Sequence, residues 1–404
     1  MNRLQAYKFR IEPNGEQCRA MRQFAGNARK VWNLALTQQK INYESGEKFV
    51  NSFGMNTWLQ VWKKEYLFLS KSPYHTLQQV TKDLERAYKN FFEKRADYPV
   101  IKKKGKAIDS FRFPDSKQFI VDQVNHRIKL PKLGWIKYRN SREILGAPKN
   151  ITLTQKLGHW YVSIQTERVV ELQLHLSIKD VGIDVGIDVF AATSSGEIIA
   201  PINSFKSHQK RLAKYQRRMS HKTSFSSNWK KVKYKVQKIQ MKIAYVRNDF
   251  LHNISTDISK NHAMIVVEDL KVGNMSKSAT GTLAVPGEKV KQKKGLNRSI
   301  LDQGWGEFRR HLEYKQAWSN GLFVTVNPRN TSRTCFCCGF VSAENRKTQA
   351  RFECIECGYT ANADVNAARN ILAAGHAVLA CGDPVQSGRS RKQEPTEVIM
   401  HVNA

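Results

Sequence analysis

Acidic residues are scarce in this chain of 404 residues: 34 Asp and Glu stand against 67 Lys and Arg, a net charge of +33. A surplus of that size repels itself and does not help a lone monomer fold, so its natural counterweight is a polyanion. Long apolar runs are also missing. No stretch approaches the roughly 18 apolar residues of a membrane span, and the basic runs lack an amphipathic anchor. The N-terminal MNRLQAYKFRIEP has no apolar core of a secretory signal. Neither membrane insertion nor export is expected; the expectation is a cytoplasmic, nucleoid-associated protein whose partner is nucleic acid. Cysteine is sparse, seven in all, and without a signal the two CxxC pairs read as metal ligands rather than disulfides. Internal repeats are lacking as well.

What is present falls into two textures. Residues 1–12 read as a strand, closed by the turn Pro13-Asn14-Gly15. Met21, Phe24, Ala28, Val31 and Ala35 then recur at helical spacing, and TLQQVTKDLERAYKNFF carries a second stripe. From 108 to 170 come short β-like runs (QFIVD, RIKL, WIKYR, ITLTQ, WYVSIQTE), which predict a small barrel or sheet. From 178 the pattern is α/β. VGIDVGIDVFAATSSG reads as strand, turn and strand; residues 206–250 as two basic helices broken near SHKTSFSSN; AMIVVEDL as a buried strand. Residues 273–298 read as a Gly- and Lys-rich loop, SILDQGWGEFRRHLEYKQAWSNG as one helix and LFVTVN as a strand. DVNAARNILAAG reads as the last helix, and the polar tail after Cys381 as disordered.

Three constellations carry chemistry. Cys335-x2-Cys338 and Cys354-x2-Cys357 are fifteen residues apart. Each pair lets a tight turn aim two thiolates at one ion, which points to a closed, structural Zn2+ site. A register with Cys337 in place of Cys338 stays open, and Cys18 and Cys381 read as unpaired thiols. Asp184 in VGIDVG and Glu268 in AMIVVEDL lie in runs apolar enough for central strands, where a lone carboxylate is costly unless a cation or proton meets it. Asp364 opens the last helix, with Asn362 as a rival cap. Two strand carboxylates and one at a late helix start are the arrangement of RNase H-like nucleases, which hold two divalent ions roughly 3.5–4 Å apart. All-oxygen ligation suits Mg2+. Asp188 and Asp269 are set aside, the first as lying beyond the strand centre and the second as facing away from Glu268.

The third constellation is charge. From Lys206 to Lys242 there are thirteen Lys or Arg and no acid, with Tyr215, Phe225, Trp229 and Tyr234 interleaved. An element tracking a phosphate backbone is expected, with Lys210, Arg211, Lys214, Arg217, Arg218, Lys230 and Lys231 as contacts.

GIDVGIDVFAATSSG, VVEDLKVGNM, WGEFRRHLEYKQAW, NPRNTSRTCFCCG and CGYTANADVNAARNIL, in this order, resemble the TnpB family of insertion-sequence proteins, compact RNA-guided DNA endonucleases related to the type V CRISPR effectors. The likeness extends through LQQVTKDLERAYKNFF and LPKLGW and so covers nearly the whole chain. It implies an α+β multidomain fold: a wedge-type β-barrel (1–12 and 106–175) interrupted by a helical recognition insertion (13–105). A RuvC-like nuclease domain follows (176–330 and 361–380, with a basic helical insertion at about 205–255), holding a zinc ribbon (331–360) and ending in a tail (381–404).

Carried over by position, the resemblance makes Asp184, Glu268 and Asp364 the Mg2+-holding catalytic carboxylates. It makes Cys335, Cys338, Cys354 and Cys357 the zinc ligands, and Gln78 a contact to the short motif beside the target. The implied partners are a guide RNA from the element's right end and double-stranded target DNA, with one protein per RNA. Many relatives carry Lys or Asn where this chain has Asp188, and Arg where it has Ala363. A guided DNA-binding regulator with vestigial carboxylates, and a strand-joining transposase, are the alternative readings. The complete triad argues against the first, and the lack of an obvious extra domain for element ends against the second.

Overall fold

The computed structural model describes residues 1–171, 173–282 and 285–380, and the chain divides into two compact units at Glu171. The polar tail and Cys381, read from sequence as a disordered end and a free thiol, lie outside the described residues.

In the first unit β1 (Asn2–Glu12) alternates exposed and buried side chains, turning Tyr7, Phe9 and Ile11 inward. α1 (Gly15–Glu44) follows at once. A capping box starts it: the Asn14 side chain accepts from the Gln17 amide and the Gln17 side chain from the Asn14 amide. After α2 (Ser52–Glu65) and α3 (Tyr74–Phe92) come β2 (Ser110–Phe113), β3 (Ile120–Asp122), β4 (Arg127–Leu130), β5 (Gly134–Tyr138), β6 (Ala147–Lys156) and β7 (His159–Val169). They join β1 in a seven-stranded antiparallel sheet of order β2-β6-β7-β1-β5-β4-β3.

α1 serves two cores. Its first half packs Met21, Phe24 and Ala25 with the sheet residues Phe113, Trp160 and Ile164. Its second half packs Val31, Ala35 and Leu36 with Met55 and Leu59 of α2 and Leu77 and Leu84 of α3. The sequence gives no clear signal for α2, because only Met55 and Leu59 of its fourteen residues are buried, too few to show a period.

The second unit is built on β8 (Asp180–Val185), β9 (Ala191–Thr193) and β10 (Ile198–Ile199), followed by α4 (Ser204–Ser220), α5 (Ser227–Asn261) and β11 (Met264–Glu268). Then come α6 (Val272–Met275), α7 (Val290–Gln303), α8 (Trp305–Ser319) and β12 (Leu322–Val326). The small strands β13 (Arg351–Glu353) and β14 (Thr360–Asn362) precede α9 (Ala363–Ala380). The main sheet has the order β10-β9-β8-β11-β12, with β8, β11 and β12 parallel. Both faces of these strands are covered, which is why they read as near-continuous apolar runs. Val181, Ile183, Ile265 and Val267 meet α5, α7 and α8 through Leu251, Ile300, Phe308 and Leu312. Val266, Val324 and Val326 meet α9 through Ile371 and Leu372.

Two expectations fail here. The loop expected over 273–298 contains α6 and the first two turns of α7, and the single helix expected from Ser299 breaks at Gly304, which takes φ 74°. α7 escaped notice because its buried face is largely polar: Ile300 is joined there by Asp302 and Gln303. Asp302 is satisfied by the Ser204 hydroxyl at 2.9 Å and the Phe205 amide at 2.9 Å, a pairing that periodicity does not encode.

Candidate active site

Asp184 and Glu268 sit at the C-terminal ends of neighbouring parallel strands. The register Ile183↔Val267 sets them level, on the face opposite those two core residues. The same face carries Gly182, where α9 crosses. A Cβ at Gly182 would lie 2.2 Å from the Ala368 carbonyl oxygen, so only glycine admits the helix this close. α9 runs back along β8, with His376 Nε2 3.1 Å from Asp180 at the far end and Asp364 at the near end. The rival roles for Asp364 are resolved by the cap: the Asn362 side chain accepts from the Asp364 and Val365 amides at 3.0 and 3.2 Å, leaving the Asp364 carboxylate free of that duty.

Asp184, Glu268 and Asp364 line one cavity of about 330 Å3, together with Asp188, Thr331, Ser332, Arg346 and Gln349. The three expected carboxylates are thus brought together, and Asp188, set aside from sequence, joins them. Asp269 does not; it is paired to Lys271 and Arg309, which hold its carboxyl below the usual range. Burial pushes Asp184 up to about 7, reinforced by Glu268 and Asp364 and partly opposed by Arg346. Burial raises Glu268 too, against the Thr331 hydroxyl that donates to its Oε1 at 2.5 Å. Arg346 donates to Asp364 Oδ1 at 2.8 Å. Thr331 and Arg346 were not anticipated. They lie 63 and 18 residues from the carboxylates they touch, in loops without a local signature.

The four cysteines Cys335, Cys338, Cys354 and Cys357 bring their sulfurs within 4.8 Å of one another. The Cys335–Cys357 and Cys338–Cys354 separations are 3.7 and 3.6 Å. A tetrahedron of thiolates about 2.3 Å from Zn2+ has edges of about 3.8 Å, so the donor set fits that ion. Cys338 and not the exposed Cys337 belongs to the cluster. Gly339 and Gly358 follow the two pairs with φ 77° and 72°, letting each turn close by a hydrogen bond from the glycine N–H to the carbonyl of Cys335 or Cys354. Asn366 of α9 reaches across to the Thr334 carbonyl and the Phe336 amide, and Asn370 to the carbonyls of Thr331 and Thr334. The knuckle therefore holds the helix that presents Asp364. Ala363 is fully buried against Cys335, Phe352 and Cys354.

α4 and α5 form the basic hairpin, packed through Leu212, Val236, Ile239 and Ile243. A hollow of about 1060 Å3 between them is lined by Arg211, Lys230 and Lys231, and also by Tyr215, Tyr234 and Lys235. Lys210, Lys214, Arg217 and Arg218 are exposed on α4 outside it. In the first unit Gln78 is half-buried on α3, and its backbone carbonyl accepts from the Thr81 hydroxyl. Among the described residues no helix is long and apolar enough to cross a membrane.

Residues 162–279 match the OrfB_IS605 family, described as "Probable transposase"; residues 305–371 match the Cas12f1-like TNB domain, and residues 1–48 match a helix-turn-helix domain. In this structure residues 1–48 form β1 and one unbroken α1 rather than two helices about a turn. Over 401 residues, 99% of each chain, the sequence is 55% identical to the protein of Escherichia coli (strain K12) named "Putative RNA-guided DNA endonuclease InsQ". Over 405 residues, 96% of each chain, it is 34% identical to a "Putative RNA-guided DNA endonuclease" of Streptomyces pristinaespiralis. Among solved structures, that of the mini-RNA-guided endonuclease CRISPR-Cas_phi3 overlays with a TM-score of 0.45 at 11% identity, covering 95% of this chain and 93% of that one, too loosely to place any residue.

Proposed function

The chain belongs to the TnpB family, and from that premise we propose that it is an RNA-guided DNA endonuclease that cuts both strands of a target duplex with one RuvC-like site. The observation that carries the reading is the convergence of Asp184, Glu268 and Asp364, from three separated parts of the sequence, on one cavity. In this reading the second unit is the RuvC-like domain, with residues 331–360 as its zinc ribbon. The first is the wedge, its three helices inserted between β1 and β2.

The donor set of the cavity is all oxygen, which suits Mg2+ over softer ions. Asp184, Glu268 and Asp364 would hold two such ions, which would supply an activated water and charge stabilisation for the departing oxygen of the phosphodiester. The chain's own residues prepare that chemistry. The parallel register holds Asp184 and Glu268 level, Thr331 fixes one oxygen of Glu268, and the cysteine knuckle fixes the start of α9. Arg346 is the cation nearest to Asp364 and stands where a phosphate can also be met.

Guidance follows the family's division of labour: pairing reads the target, while the protein holds backbones and reads a short flanking motif. The basic hairpin supplies phosphate contacts through Lys210, Arg211, Lys214, Arg217, Arg218, Lys230 and Lys231. Gln78 is proposed as a base contact to the motif. The test is to sequence the RNA that co-purifies with the protein expressed from its own locus. One dominant species running past the element's end supports guidance; a heterogeneous mixture refutes it.

A further inference from the structure

Asparagine suits a helix interior poorly, because its side chain competes for nearby backbone groups. α9 nevertheless carries two, Asn366 and Asn370, four residues apart and so on one face of the helix. Both reach the stretch 327–334, which leads from the end of β12 to Cys335 with no helix or strand of its own.

The two amides do different things there. Asn366, fully buried, donates to the Thr334 carbonyl at 2.9 Å and accepts from the Phe336 amide at 3.1 Å, which holds the start of the cysteine knuckle. Asn370 donates to the same Thr334 carbonyl at 2.7 Å and to the Thr331 carbonyl at 2.9 Å. Only the second of these bonds leads to the carboxylates. Thr331 is the residue whose hydroxyl donates to Glu268, and a hydroxyl fixes a carboxylate only as firmly as its own backbone is fixed. The turn around Thr331 closes locally, through the amides of Arg333 and Thr334 on the Asn330 carbonyl. The Asn370 amide ties that turn to α9. The path therefore runs from Glu268 to Thr331, to Asn370, and back along one rigid helix to Asp364. On that helix Asp364 and Asn370 are about 9 Å apart along the axis.

We propose that Asn370 is a positioning residue of the carboxylate site: by holding the Thr331 turn against α9 it sets Glu268 relative to Asp364. It acts through Thr331 and touches neither substrate nor metal. The proposal rests on the nuclease reading above for what those carboxylates do, and adds the residue that keeps two of them in step.

The test titrates the full chain, with its co-purified RNA and a matched duplex, against Mg2+. Asn370→Ala is expected to raise the Mg2+ concentration for half-maximal cutting about tenfold, the low end for groups that orient metal ligands. The rate at saturating Mg2+ and the zinc content are expected to be largely kept. Pairing with Thr331→Val separates this role from a merely structural one. A residue acting through Thr331 has nothing left to act on in that background, so the double variant is expected to match Thr331→Val alone. Shifts that multiply overturn the proposal, as does a wild-type Mg2+ midpoint in Asn370→Ala. Should the alanine variant fail to fold, Asn370→Asp, which keeps the shape and loses both N–H donors, is read in the same way.

Metal binding is read apart from cutting by replacing Mg2+ with Fe2+, ascorbate and peroxide, which break the polypeptide beside a bound ion. Fragments ending near Asp184, Glu268 and Asp364 are followed by mass spectrometry against Fe2+ concentration, and the same shift is expected. A wild type that breaks there yet leaves DNA intact with Mg2+ removes the nuclease reading, and the Fe2+ midpoints then decide. A raised midpoint in Asn370→Ala keeps the positioning role and an equal one removes it. No breakage beside the carboxylates removes both.

Discussion

At the scale of single residues, the site is a contest over three carboxylates and what accompanies them. Thr331 is the most informative companion, because its hydroxyl touches Glu268 and does nothing catalytic itself. Groups that orient metal ligands typically govern about 10–100-fold in metal affinity. Thr331→Val is therefore expected to raise the Mg2+ concentration needed for half-maximal cutting by about that factor, with the rate at saturating Mg2+ largely kept. An unchanged Mg2+ requirement removes Thr331 from this role. The cysteines give a second residue-level expectation. The wild type is expected to hold about one zinc ion per chain; Cys338→Ser should fall well below that, while Cys337→Ser should match it, measured by metal analysis of the purified proteins. Equal loss in both variants contradicts the geometry of the cluster. Asp184, Glu268 and the cysteine pairs were legible in the sequence because each breaks a strong local rule: a carboxylate in an apolar strand, a thiol pair in a tight turn. Asp188 breaks the same rule but lies past the end of β8, and Thr331 and Arg346 break none; only the folded chain places these three in the cavity.

Elements show where reading by period works and where it stops. α1 and α3 announce themselves through apolar stripes, and β8 and β11 through apolar runs interrupted by a carboxylate. α2 and α7 do not, because α2 hides two apolar residues in fourteen and α7 buries a Gln beside an Asp held by hydrogen bonds. The α5–α8 contact holds a similar hidden polar group. His311 on α8 is fully buried, its ring stacked 3.9 Å from that of His252 on α5, with Glu307 Oε1 3.4 Å from its Nε2 as the one carboxylate facing it among the described residues. Burial lowers its pKa to about 4, helped by His252, Arg310 and Lys315 and opposed by Glu307. The folded state thus takes up this proton less readily than the unfolded chain. Stability is lost as pH falls through the unfolded value near 6.5 and levels off below about 4, a change of at most about 3 kcal/mol. His311→Phe, which keeps the stacked shape and cannot charge, is expected to lose less stability between pH 7 and pH 4.5, read as the shift in denaturation midpoint. Parallel pH profiles for the two proteins contradict it.

For the molecule as a whole, a net charge of +33 predicted a polyanionic partner before any motif was considered. The structure gathers part of that charge on one helical hairpin. The order of the motifs along the chain was readable; the joining of β8, β11 and α9 into one cavity depended on a parallel register and on the close approach at Gly182, neither of which a local pattern states. The central claim is that this cavity cuts DNA chosen by a bound RNA. The measurement that tests it most directly pairs the purified wild-type ribonucleoprotein with its Glu268→Ala counterpart on a plasmid matching the RNA's variable end. Loss of a metal ligand is expected to slow cutting at least about 100-fold, since ions of this kind supply several kcal/mol to the transition state. The account predicts Mg2+-dependent linearisation by the wild type only, with equal target binding by both. A wild type that binds the matched plasmid and leaves it intact, or a Glu268→Ala protein that cuts at the wild-type rate, contradicts it.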